Sequence, residues 1–222
     1  MTIPDGATAA DRAVPLLDRR GEPGVPPLVL ASASAVRARL LADAGLAVTR
    51  DVAAVDEADV KASLKAEGVG ASEVAEALAE LKAVKVSRRH AGALVLGCDQ
   101  MLECDGVWFD KPETIAAARG QLLALAGRPH RLLTAAVVVC DGARLWHHGT
   151  RATLTMRRFS EDFLDAYLAA VGDAALASVG AYQLEGPGAQ LFSRVEGDYF
   201  SILGLPLLPL LDFLRQHRVV RE

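Results

Sequence analysis

The chain has 222 residues, 51% hydrophobic and 23% charged, the composition of a globular protein large enough to bury a full core. Its 24 Lys and Arg against 28 Asp and Glu leave a net charge of −4, which argues against a general nucleic-acid binder. The longest apolar runs, 132–140 and 202–211, are about half a membrane span, and Gly204, Pro206 and Pro209 interrupt the second, so no spanning helix is expected.

Pro4, Asp5 and Asp11 stand where a secretion signal needs a basic start and an apolar stretch. Three cysteines, Cys98, Cys104 and Cys140, lack C-x-x-C spacing. Together these read as a reduced, cytoplasmic protein. Residues 1–27, with Pro4, Pro15, Pro23, Pro26 and Pro27, are expected to be a flexible extension, and residues 28–222 one domain.

From Leu28 the chain alternates short apolar runs with helical periodicity, the signature of an α/β domain. LVLA (28–31) reads as a buried strand, followed by a helix over Val36–Ala44. Ser72 is placed to cap a helix through Ser87, with Val74, Leu78, Leu81 and Lys85 on one face. ALVLG (93–97) reads as a second buried strand. Pro112 suits the first position of a helix that carries Ile115, Ala118, Leu122 and Leu125 and stops at Gly127. Leu132–Val139 reads as a third strand, and Asp141-Gly142 turns the chain into RLWHH and then RATLTMRR (151–158). Ser160 opens a helix closed by Gly172, and a last helix covers Leu207–His217. The expected architecture is a mixed twisted sheet with flanking helices and a central cleft.

Ser32 and Ser34 fall just before the first helix, where free backbone N–H groups and the positive dipole end can hold an anion. Arg37 and Arg39 sit at the electrostatically wrong end of that helix, which an anionic ligand between them and the terminus would explain. Ordinary serine capping with solvated arginines explains the segment equally well. Val55-Asp56-Glu57 puts adjacent carboxylates in a loop, and Lys82 lies near the middle of its helix. Asp99 directly follows a buried strand, where open α/β sheets bind ligands, and a carboxylate there can bind a cation or accept a proton from water. Lys111 stands at a helix entrance as a point charge for phosphate. His147 and His148 alternate in a strand and cannot share a metal ion, and His130 reads as a strand-start residue bonded to backbone. Cys98 reads as buried filler.

LASASAVRARLL (30–41), VDE (55–57), LAELKA (78–83), GCDQ (97–100), DKP (110–112), GRPH (127–130), YQLEG (182–186) and VEGDYFSILGLPL (195–207) occur in order. In this combination the sequence from Leu28 onward resembles the Maf family of nucleotide pyrophosphatases, whose fold is similar to that of inosine-triphosphate pyrophosphatase. The resemblance implies hydrolysis of a nucleoside triphosphate to monophosphate and pyrophosphate. It also implies a divalent metal (Mg²⁺, Mn²⁺ or Co²⁺) and a cytoplasmic homodimer, with no nucleic-acid or membrane partner. Position by position it implies Asp99 as catalytic base, with Lys82 and Glu57 in the catalytic set and Asp99 and Glu57 as metal ligands. It assigns Ser32, Ser34, Arg37, Gln100, Lys111 and Glu185 to the substrate.

Two departures bear on specificity. The family's S-P-R-R reads Ser34-Ala35-Val36-Arg37, so one arginine is missing, with Arg39 a candidate substitute one turn round. The family's I-Q-G reads Leu184-Glu185-Gly186; with Gln100 this is more similar to the branch acting on 7-methyl-GTP than to the dTTP and UTP branch, although that branch's frequent tryptophan is Val36 here. The alternative reading is a nucleotide-binding regulator of septum formation with little turnover.

Overall fold

In a computed structural model, Arg19 and residues 22–221 are described. The strands are β1 (Leu28–Leu30), β2 (Thr49–Arg50), β3 (Leu94–Cys104), β4 (Val107–Phe109), β5 (Pro129–Cys140), β6 (Ala143–Met156) and β7 (Phe192–Glu196). The helices are α1 (Ala35–Asp43), α2 (Glu57–Ala66), α3 (Ala71–Ser87), α4 (Ile115–Leu125), α5 (Glu161–Val171), α6 (Tyr199–Ile202) and α7 (Leu207–Gln216). Three short 3₁₀ turns lie between α5 and β7.

The sheet runs β2-β1-β3-β5-β6-β7, with β4 folded back on β3. β1 is parallel to both β2 and β3, and the remaining pairs are antiparallel. This is the expected mixed sheet with flanking helices. α3 lies on one face over Val95, Met101, Val137 and Val139. α1 and α7 cover the other face through Leu41, Leu210, Phe213 and Leu214. A third apolar cluster under α4 and α5 closes the far end of the β5–β6 ribbon.

The expected strand 93–97 is the start of a longer one. β1 pairs with β3 only from Leu94 to Leu96, and β4 only from Leu102 to Cys104. Residues 97–101 of β3 are therefore open on that edge, and the gap between β1 and β4 is where a cleft forms. Gly97 sits in this gap, and a Cβ on it would run into the Ala79 carbonyl oxygen of α3. Glycine thus lets α3 approach β3 closely, which brings Lys82 over Asp99.

Several local expectations need correction. Val55-Asp56-Glu57 is not a loop: Asp56 caps α2 by accepting from Asp59 N at 3.1 Å, and Glu57 is its first residue. α3 begins at Ala71 after Gly70, so Ser72 is not its cap. Its buried face runs through Val74, Leu78, Lys82 and Val86, while Leu81 is 40% exposed. Pro112 does not start α4; Thr114 caps it from Ala117 N at 3.1 Å, which leaves Lys111 in the preceding loop. RLWHH and RATLTM belong to the single strand β6, which ends at Met156, before Arg157 and Arg158.

Most of the expected extension 1–27 lies outside the described residues. Of the described part, Arg19 pairs with Glu22, Glu22 with Arg221, and the Pro27 carbonyl accepts from Leu94 N at 2.9 Å.

Candidate active site

A cavity of about 780 Å³ opens at the gap in the sheet. It is lined by Ser32, Ser34, Arg37, Glu57, Lys82, Asp99, Gln100, Lys111 and Glu185, so every site residue singled out from the sequence reaches it. They come from separate segments: the β1–α1 turn, α1, α2, α3, β3, the loop after β4 and the turn before Gly186.

At the floor, Asp99 is 4% exposed. Its Oδ1 accepts from Lys82 Nζ at 2.6 Å, and Oδ2 is buried without a partner among the described residues. Lys82 Nζ also lies 2.7 Å from Glu57 Oε1. One ammonium therefore sits between two carboxylates. Burial pushes the Asp99 carboxyl above its ordinary range, against the pull of Lys82. Burial acts on Glu57 in the same sense, yet the hydrogen bond and charge of Lys82, with Lys61 and Lys111, hold it below its usual value. The two carboxyls thus differ in their readiness to take a proton, and Asp99 is the better acceptor.

Ser34 is the N-cap of α1, accepting from Arg37 N at 3.3 Å, so its oxygen serves the helix. Ser32 Oγ accepts from Ser34 N at 3.2 Å and from Arg37 Nη1 at 3.1 Å. Arg37 also donates to Gly204 O at 2.8 Å and Cys98 O at 2.9 Å. Those acceptors answer the dipole mismatch that the sequence suggested an anion would relieve; Nη2 has no protein partner among the described residues, and Arg37 lines the cavity. Arg39 is exposed, pairs with Asp43 at 3.4 Å and does not line the cavity, so it does not replace the missing arginine.

Lys111 has no carboxylate within ion-pair distance among the described residues. Partial burial lowers its pKa, and the charges of Arg37 and Lys82 lower it further. Glu185 is exposed at the rim. Cys98 is fully buried with its thiol pushed up to about 11, which fits filler rather than a nucleophile.

Four contributors were not singled out from the sequence. Lys61 pairs with Asp110 at 2.6 Å, and both line the cavity. Lys61 lies one turn beyond Glu57, a relation invisible while that segment read as loop. Tyr182 forms part of the wall and is buried, its hydroxyl 2.8 Å from His130 Nε2. His130 therefore bonds a side chain, not the backbone bond expected of it. Gly204 bounds the cleft next to Arg37.

A deep cleft with cations around a buried, half-partnered carboxylate suits hydrolysis of a polyanionic ester or anhydride. The family model for Maf-like protein matches residues 27–217. The chain is 63% identical over 189 residues to a nucleoside triphosphate pyrophosphatase of Paramagnetospirillum magneticum, covering 85% of this chain and 97% of the relative. It is 56% identical over 193 residues to a protein of the same name from Granulibacter bethesdensis, covering 87% and 98%. A 7-methyl-GTP pyrophosphatase of Mesorhizobium japonicum is 53% identical over 188 residues, covering 85% and 94%. The chain belongs to the Maf family.

Proposed function

We propose that this protein hydrolyses nucleoside triphosphates to the monophosphate and pyrophosphate. The observation that carries the reading is Asp99, buried, held at one oxygen by Lys82, with Oδ2 free of any partner among the described residues. The names of the relatives support it.

In this reading Lys111 and Arg37, with Lys61 beside them, neutralise the polyphosphate chain. Water attacks the α-phosphorus while its proton passes to Asp99 Oδ2. The bond from the α-phosphorus to the bridging oxygen breaks, and that oxygen leaves with pyrophosphate. A carboxyl raised by burial is a stronger base than a solvated one and closer to the operating pH. Lys82 fixes the orientation of Asp99 and carries positive charge where negative charge accumulates.

Among the described residues no group of three or more His, Cys, Asp and Glu side chains is arranged for a metal ion. The orphaned Asp99 Oδ2 has two lone pairs, so with Glu57 it nevertheless fits a cation that takes one or two protein carboxylates and completes its shell from phosphates and water, as Mg²⁺ does, and keeps one lone pair for the proton. Mg²⁺, Mn²⁺ or Co²⁺ bound there would supply Lewis-acid stabilisation of phosphate charge. Gln100 and Glu185 support a purine triphosphate over dTTP or UTP, since a carboxylate accepts two adjacent hydrogen bonds from guanine N1–H and N2–H₂, whereas thymine and uracil offer a single N3–H flanked by two acceptor oxygens.

The domain is taken as 28–222, acting as a cytoplasmic homodimer; no helix among the described residues is long and apolar enough to cross a membrane. Pyrophosphate release from a panel of canonical, methylated and deaminated triphosphates tests the activity. Tight binding without release across the panel would favour the regulatory reading.

A further inference from the structure

Two cleft residues, Arg37 and Gln100, are held by main-chain carbonyls of one short segment. Gln100 Nε2 lies 2.8 Å from Thr134 Oγ1 and 3.1 Å from each of Ser201 O and Ile202 O. Carbonyl oxygens only accept, so the atom facing them is the amide nitrogen. The Thr134 hydroxyl hydrogen goes to Ser201 O at 2.9 Å, so Thr134 also accepts from the amide. Both amide hydrogens of Gln100 are committed, and Oε1 is the polar atom it has left for a ligand. Two residues further on, Gly204 O takes Arg37 Nε at 2.8 Å. Gly204 has φ of +95°, and a Cβ there would lie 3.1 Å from that same nitrogen.

The segment that presents these carbonyls is α6 and the turn after it. Its entry is set by Asp198, which accepts from both Ser201 N and Ser201 Oγ at 2.7 Å. Ser201 is 2% exposed. Immediately before, Gly197 at φ +137° packs against Ala152, where a side chain has no room. Asp198 itself does not line the cavity.

We propose that Asp198 is a positioning residue: by capping α6 it fixes the carbonyls of Ser201, Ile202 and Gly204, and through them orients Gln100 as a hydrogen-bond acceptor and Arg37 as an anion contact. The proposal rests on the nucleotide reading of the cleft. It names the ligand feature that Gln100 and Glu185 share, a base edge that donates two adjacent hydrogen bonds, as guanine does and uracil does not.

The test compares the unmodified chain with Asp198→Ala and Asp198→Asn. Exchange of the Gln100 side-chain amide protons, followed by NMR without ligand, reads the positioning directly. KM and kcat for pyrophosphate release from GTP and from UTP read its consequence. Asp198→Ala should speed the amide exchange and raise KM for GTP about tenfold, the scale of one weakened charge-assisted contact. It should lower kcat less and shrink the GTP preference over UTP. Asp198→Asn still caps a helix and should restore all of these. Ser201→Ala keeps the backbone donor and loses only the hydroxyl, so it should shift the same quantities in the same direction by less, and it serves if Asp198→Ala does not fold. Unchanged Gln100 amide exchange in the variants, or loss of activity with KM and base preference unaltered, would overturn the proposal. A chain that releases no pyrophosphate from any triphosphate, yet protects the Gln100 amide through Asp198, would instead count against the nucleotide reading.

Discussion

Lys82 Nζ and Asp99 Oδ1 meet at 2.6 Å inside the protein, with side chains 10% and 6% exposed. They come from different layers, α3 and β3, and meet because Gly97 leaves the helix room to sit against the strand. The pair is costly to assemble and costlier to break, since removing one partner strands a buried charge.

Lys82→Met tests that balance. It leaves Asp99 and Glu57 facing each other without the ammonium between them, a loss of about 3–5 kcal/mol. Thermal unfolding of the variant should begin many degrees below that of the unmodified chain, at roughly 2–4 °C per kcal/mol. Adding Asp99→Asn removes one stranded charge and should recover much of the loss. An unchanged melting temperature in the single variant would show that the pair contributes little to the fold.

The cleft should give a bell-shaped rate profile. Asp99 must be ionised to take a proton, so its titration sets the acid limb, and burial raises its pKa in the metal-free protein. Lys111 must be charged to hold phosphate, and burial with Arg37 and Lys82 nearby lowers its pKa, so the alkaline limb comes earlier than for a free lysine. Lys111→Arg, permanently charged, should move the alkaline limb upward and leave the acid limb in place. An alkaline limb that ignores this substitution would remove Lys111 from the assignment.

His130 should make the protein acid-sensitive. It is 1% exposed, and burial lowers its pKa to about 4, against 6.5 ordinarily. As pH falls from 6.5 toward 4 the unfolded chain binds a proton that the native chain refuses, so stability declines with pH by up to about 3 kcal/mol. His130→Gln cannot titrate. Its melting temperature should therefore depend less on pH across that window than the unmodified chain's, whatever its value at pH 7. Equal slopes for the two proteins would contradict this.

The elements that a sequence reveals are those whose apolar side chains mark a buried face. β1, β3, β5 and α5 announce themselves in this way. α2 does not: none of its residues is buried, and it owes its start to the Asp56 cap, so periodicity had nothing to register. The face of α3 was misjudged at Leu81 because close packing on Gly97 favours alanine, and Ala75, Ala79 and Ala83 carry a weaker signal than an exposed leucine. The cleft residues were recognisable through their motifs, and all of them reach one cavity. Their division of labour was not. That Gln100 has its amide hydrogens committed and that Lys61 belongs to the cleft depend on contacts between distant segments.

In the proposed reaction Asp99 accepts the proton of the attacking water. Asp99→Asn keeps the side-chain shape and removes the basic oxygen, and loss of a general base typically costs ~10²–10⁴ in rate. The decisive measurement is single-turnover pyrophosphate release from a preferred triphosphate, with nucleotide binding measured on the same protein. Asp99→Asn should stay folded, still bind nucleotide and release pyrophosphate at least about a hundredfold more slowly. Release at the unmodified rate would contradict that role for Asp99.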